Sequence, residues 1–252
     1  MEHKEYKSSF GSLLLLLFIS ICHPGMAYSQ VAQPRNIMPG MTYTEYTCNL
    51  GIMQEYVRGW LVGDSIESQG EMLMPVYRID PERGDSITSG RPRFIKTEGD
   101  KVFMLDTGAQ SGKRQWLLMY DFGLKPDECA EIYYPIHPGF LSKQVRCVEI
   151  KENPKYNGLL TMKLIRVLDP EYSNLDPEYS TLDLEYSNLE SDFFSTCEWI
   201  IGVGSTQGLF WPTPPDFGAG TNLEKVTLHG KEIFYRPIER FISNRRKKRA
   251  NH

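Results

Sequence analysis

The sequence predicts an all-β fold, an antiparallel meander of about eight to ten strands closing into a barrel or sandwich. Three observations predict it. Between Met41 and Tyr235, β-branched and aromatic residues recur throughout, and residues that favour turns punctuate them at short intervals. Sustained helical periodicity is hard to find in the same stretch. Candidate strands also fall in neighbouring pairs around short turns, as at Glu98-Gly99-Asp100 and His229-Gly230.

Taken in order, the chain opens with an apolar run over residues 13–21, preceded by Lys4 and Lys7. The run is too short to cross a bilayer as a helix, which needs about 20 residues. Pro24 and Gly25 break it, and Ala27-Tyr28-Ser29 offers small residues at both positions that a signal peptidase reads. This is a signal peptide over residues 1–29, with cleavage expected before Gln30. Lipid attachment at Cys22 is the first rival, although Ile21 stands where a lipoprotein signal wants a small side chain. An uncleaved anchor is the second. No later segment is apolar for long enough to cross a membrane.

Residues 30–240 form the single β-rich domain. Within it, 93–96 and 101–106 read as strands joined by the turn Glu98-Gly99-Asp100. Residues 115–122 place Trp116, Leu118, Tyr120 and Phe122 on one face and Leu117 and Met119 on the other. That pattern predicts a central strand covered on both sides. Residues 131–134 and 144–150 pair around His137-Pro138-Gly139, and a further strand runs over 161–167. Near the end, 224–228 and 231–235 flank His229-Gly230, a two-residue loop that would set Val226 opposite Ile233.

One segment departs from this pattern. Leu168-Asp-Pro-Glu-Tyr-Ser-Asn174 is followed by Leu175-Asp-Pro-Glu-Tyr-Ser-Thr181 and Leu182-Asp-Leu-Glu-Tyr-Ser-Asn188. Pro170 and Pro177 would interrupt a helix, and one apolar anchor per seven residues makes no coiled-coil seam. The repeat reads as an expanded loop, occupying 168–190, between the strand at 161–167 and one beginning near Cys197. A basic tail, 241–252, follows the domain; it contains Arg245-Arg246-Lys247-Lys248-Arg249 and reads as disordered.

The 252 residues are 40% hydrophobic and 24% charged, within the globular range. Formal charge is −4, and a neutral leader with five cations in the tail leaves −9 on the body. An acidic body does not fit a nucleic-acid binder, whose basic residues would cover a face. Without Cys22, the mature chain keeps Cys48, Cys129, Cys147 and Cys197. An even count in an exported protein permits two disulfides, in any of three pairings, and buried or free thiols are as good a reading. No CxxC spacing suggests zinc.

No candidate chemistry survives its spacing test. The carboxylates Asp169, Glu171, Asp176, Glu178, Asp183 and Glu185 are dense enough for calcium. They lack the calcium-loop pattern and a glycine for its turn, so a solvated acidic loop is the reading. Gly202-Val-Gly204-Ser205-Thr-Gln-Gly208 fails as a nucleophile elbow, because Val203 and Gln207 stand where glycines belong. It also fails as a dinucleotide fingerprint, and reads as a bulge or close backbone approach beside Trp199 and Trp211. His137, His229 and His252 are scattered in turns and the terminus. No catalytic, cofactor-binding or metal residue is assigned, and no cofactor is expected.

Three stretches together carry a resemblance: Lys101-Val-Phe-Met-Leu105, Leu118-Met-Tyr-Asp-Phe-Gly-Leu-Lys-Pro-Asp127 and Glu198-Trp-Ile-Ile-Gly-Val-Gly-Ser-Thr-Gln-Gly-Leu209. The chain resembles a group of uncharacterised exported proteins of Bacteroidetes that read "LLYDFSLKxGD" and then "WIEGIGSxxGL", with a glycine-turn hairpin last. Pro126-Asp127 replaces the group's Gly-Asp, Ile201 replaces an acidic residue, and the repeat is this chain's own. The resemblance implies a bacterial, exported β-domain and carries over no catalytic residue. The expected function is non-enzymatic binding of a ligand, glycan or protein partner, at the cell envelope or outside the cell. A carboxylate-dependent hydrolase is the competing class. A structural or adhesive surface component, with the Tyr-rich repeat as its contact element, is the third.

Overall fold

The computed structural model describes residues 32–49, 54–84, 86–88, 90–107, 113–136, 139–167, 196–213 and 219–238. Residues 1–29, read above as a signal peptide, lie outside these residues, as do the repeat and the basic tail. The strands are β1 (Met41–Asn49), β2 (Gln54–Val62), β3 (Ile66–Ser68), β4 (Glu71–Asp80), β5 (Ser86–Ile87), β6 (Arg93–Glu98), β7 (Lys101–Asp106) and β8 (Gln115–Asp121). They continue with β9 (Cys129–Ile136), β10 (Gly139–Asn153), β11 (Leu159–Arg166), β12 (Thr196–Ile200), β13 (Gly204–Ser205), β14 (Ala219–Leu228) and β15 (Lys231–Tyr235). Two short 3-10 helices, Pro81–Arg83 and Pro154–Tyr156, are the described helical turns.

The all-β expectation holds, with more strands than expected because several are only two or three residues long. A ten-stranded antiparallel sheet runs β15-β14-β1-β2-β4-β6-β7-β8, with β3 and β5 also paired to β4. A five-stranded sheet runs β13-β12-β11-β10-β9. The chain meanders through the large sheet, then through the small one, and returns to lay β14 against β1. From Gln33 onward the described residues belong to one compact unit.

Aromatic side chains of the two sheets meet between them. Tyr120 of β8 meets Trp199 of β12 edge to face at 5.0 Å, and Phe122 meets the same indole at 6.2 Å. Trp60 of β2 meets Phe210 at 4.9 Å, and Tyr156 meets Phe234 of β15 at 5.3 Å. Such pairs add roughly 0.5–1.5 kcal/mol each beyond the area they bury.

Bulges shift the face that residues take. In the β7–β8 pair, Val102 opposes Tyr120 but Phe103 opposes Leu118, so Met119 is the extra residue. One residue of slip turns the following side chains over. Trp116 and Leu118 therefore lie on the outer face, and Tyr120 points inward with Leu117, unlike the simple alternation expected for 115–122. Nor is β8 central, since it ends the ten-stranded sheet. The last hairpin turns through His229 (φ 49°) and Gly230 (φ 78°), both left-handed as a two-residue I′ loop requires. A bulge after Val226 brings it opposite Phe234 rather than Ile233.

Candidate functional site

Register determines which residues share the outer face of the large sheet. Residues directly opposed in an antiparallel pair point the same way. Ile66 opposes Leu73, Ser68 opposes Glu71, Lys96 opposes Phe103 and Leu105 opposes Trp116. With Phe94 two residues before Lys96, all of these lie on the face away from Trp199. An outer sheet face ordinarily alternates to polar residues, and this one carries an apolar patch instead.

Within that patch lies a pocket of about 320 Å³ lined by Ile66, Ser68, Leu73, Phe94, Leu105, Thr107 and Arg114. Leu73 and Leu105 are 2% and 9% exposed and form its well-covered wall, whereas Ile66 stands at 45%. Its polar groups are two hydroxyls, Ser68 and Thr107, and one guanidinium. Arg114 donates from Nη1 to Oε1 of Gln69, in the β3–β4 turn, at 2.8 Å. The volume sits at the small end of ligand sites, which start near about 300 Å³.

Beside the pocket stands a polar cluster built on the same face. Lys96 Nζ lies 4.6 Å from the centre of the Trp116 ring and 5.8 Å from that of Phe103. It pairs with Glu71 at 3.0 Å and Glu98 at 2.8 Å. Trp116 Nε1 donates to both Glu71 oxygens, at 3.1 and 3.0 Å. Hydrogen bonds from Lys96 and then Trp116 hold the Glu71 carboxyl below the usual glutamate range.

The glycine-rich segment is placed elsewhere, between the sheets. Gly204–Ser205 forms β13 against β12, with Trp199 opposite Ser205. Three side chains of the large sheet tie the segment down. Tyr43 donates its hydroxyl to the Val203 carbonyl at 2.9 Å, and Tyr120 donates to the Leu209 carbonyl at 2.8 Å. Glu45, 0% exposed, accepts from Leu209 N at 2.7 Å and pairs with Arg58 at 2.8 Å. Gly202 has φ 73°, and a β-carbon there would strike the backbone carbonyl of Pro34. Ser205 is wholly buried and accepts from Gln207 N at 3.0 Å. The close backbone approach beside Trp199 is thus present, and no base faces the Ser205 hydroxyl among the described hydrogen bonds.

Cys48, Cys129, Cys147 and Cys197 are free thiols, with Cys129 exposed and Cys147 and Cys197 buried. Burial pushes the Cys197 thiol up to about 12. Among the described residues, no group of three or more His, Cys, Asp or Glu side chains is arranged to hold a metal. Also among them, no helix is long and apolar enough to cross a membrane. His137, His252, the repeat carboxylates and the tail cations lie outside the described residues. What the sequence reading missed is the outer-face pocket; the nearest trace of it was Trp116, cross-strand from the lining residue Leu105, in a stretch read as a central strand. Compared with known proteins, the chain matches no family model, no curated protein and no solved structure.

Proposed function

We propose that the protein is a non-enzymatic binding module that works after export, at the cell envelope or outside the cell, and holds its ligand in the outer-face pocket. The observation that carries this reading is the 320 Å³ pocket walled by Leu73, Phe94 and Leu105. Apolar walls with a few converging polar groups are the common build of a ligand site. The export half of the reading rests on the leader over residues 1–29 and on the resemblance to exported Bacteroidetes proteins. Hydrolysis by paired carboxylates is less well supported. An acid catalyst needs a raised pKa, whereas Glu71, a carboxylate beside the pocket, is held low and occupied by Lys96 and Trp116.

The test is a screen of the full chain against envelope lipids, glycans and peptides, run beside a pocket-filling Ser68→Trp variant. Binding that is lost in the variant at unchanged melting temperature is the expected result. A ligand retained undiminished by Ser68→Trp would move the site off this pocket.

A further inference from the structure

We infer that the pocket takes a small anionic amphiphile, an apolar chain or ring ending in a carboxylate, with Arg114 as the residue that selects the charge. The inference rests on the pocket reading above and adds the ligand's chemistry. Size comes first. At a liquid-like share of about 30 Å³ per non-hydrogen atom, the cavity accommodates about ten such atoms. That is the scale of a medium-chain acid or an arylalkanoic acid. It falls well short of an oligosaccharide or a folded peptide segment.

Polarity comes next. Leu73, Phe94, Leu105 and Ile66 offer the ligand body no hydrogen-bond partner through their side chains, so the body is apolar. The polar lining residues are Ser68, Thr107 and Arg114, and Arg114 is the single charged one among them. A guanidinium has five N–H donors in a planar fork, and Gln69 takes one of them. The contact with Gln69 fixes the fork where it is without neutralising it, because an amide oxygen carries no charge. Glu71 is near enough for the Arg114 charge to help hold its carboxyl low, yet its oxygens already accept from Lys96 and Trp116. Among the described residues, Arg114 therefore has no carboxylate partner within ion-pair distance, although its charge is set beside an apolar wall. A carboxylate matches the fork in two parallel hydrogen bonds.

Three probes of one chain length separate the charge from the pocket: octanoate, octanol and octylamine, titrated into the full chain below their micellar concentrations. Trp116, cross-strand from the lining residue Leu105, reports occupancy by fluorescence. Octanoate is expected to bind at least tenfold more tightly than octylamine. Arg114→Gln should weaken octanoate by about tenfold or more, the worth of a charge-assisted hydrogen bond, and weaken octanol by much less. Equal binding of all three probes, or octanoate indifferent to Arg114→Gln, would overturn the anion inference and leave the pocket reading standing. Failure of every probe to bind would overturn both. Arg114 is exposed, so its substitution leaves the fold intact, and a thermal melt of the variant checks this.

Discussion

Replacing Gly202 by alanine tests whether the glycine-rich segment serves architecture or chemistry. Two costs add at this position. The backbone sits at φ 73°, where a β-carbon costs roughly 1–2 kcal/mol. The new methyl would also meet the Pro34 carbonyl, and Arg35 C at 2.8 Å. Those are main-chain atoms, and Gln33 pins them. Its side-chain amide donates to the Leu160 and Ile201 carbonyls, and its oxygen accepts from Leu160 N at 2.7 Å. A contact that cannot retreat adds the overpacking cost of about 1–3 kcal/mol. The total is about 2–5 kcal/mol, or a fall of roughly 4–20 °C in Tm for a domain of this size. Ser205→Ala removes one acceptor from Gln207 N and should cost about 1–2 kcal/mol. Urea unfolding of both variants, scored beside ligand binding, checks the ranking. The reasoning is refuted if Gly202→Ala is within 0.5 kcal/mol of wild type, a threshold set by ordinary surface substitutions at about that size. A fully stable Ser205→Ala protein that had lost all binding would refute it equally.

Arg58→Ala strips the fully buried Glu45 of its ion-pair partner and should destabilise by about 3–5 kcal/mol in urea melts; adding Glu45→Gln should recover part of that loss. The Glu71 carboxyl is held low by Lys96 and Trp116, so its stabilising contacts are complete above the ordinary glutamate range and are lost as pH falls through the lowered value. Trp116 fluorescence, taken as the difference from Trp116→Phe, should stay constant down to about pH 4.3 and change only below it; a transition near neutrality would contradict the cluster. With a thiol reagent and no reductant, Cys129 should react first in the native domain and Cys197 only after unfolding; fewer than four reactive thiols in urea would reveal an oxidised pair.

The hairpins were legible because their causes are local. Residues 101–106 bound β7 correctly, and Glu98, Gly99 and Asp100 lie in and around its turn as expected. His229-Gly230 took the I′ loop that its residues favour. What escaped the sequence is non-local or depends on a single inserted residue. Nothing near Met119 or Val226 announces a bulge, yet each bulge changes which side chains meet. Glu45 looks like any strand glutamate, and its complete burial follows from Arg58 and from the Leu209 amide 164 residues away. The pocket drew its lining from residues between Ile66 and Arg114 that only strand order brings together. Thr196, the register partner of Ile165, is the first described residue after the repeat. The stretch of chain that contains the repeat therefore connects two neighbouring strands, β11 and β12.

The return of β14 to β1 has a consequence for how the chain is made. Thr47 and Thr221, hydrogen-bonded across that pair, are 174 residues apart. At a synthesis rate of about 5–20 residues per second, β1 waits roughly 10–35 s for its second neighbour. Through that interval one of its edges presents open N–H and C=O groups, a template on which another nascent copy can pair. Closing so distant a contact also makes folding slow. A circular permutant joining β15 to β1 and opened between β11 and β12 would synthesise β14 just ahead of β1. The pair that closes the sheet last in the native order would then form early.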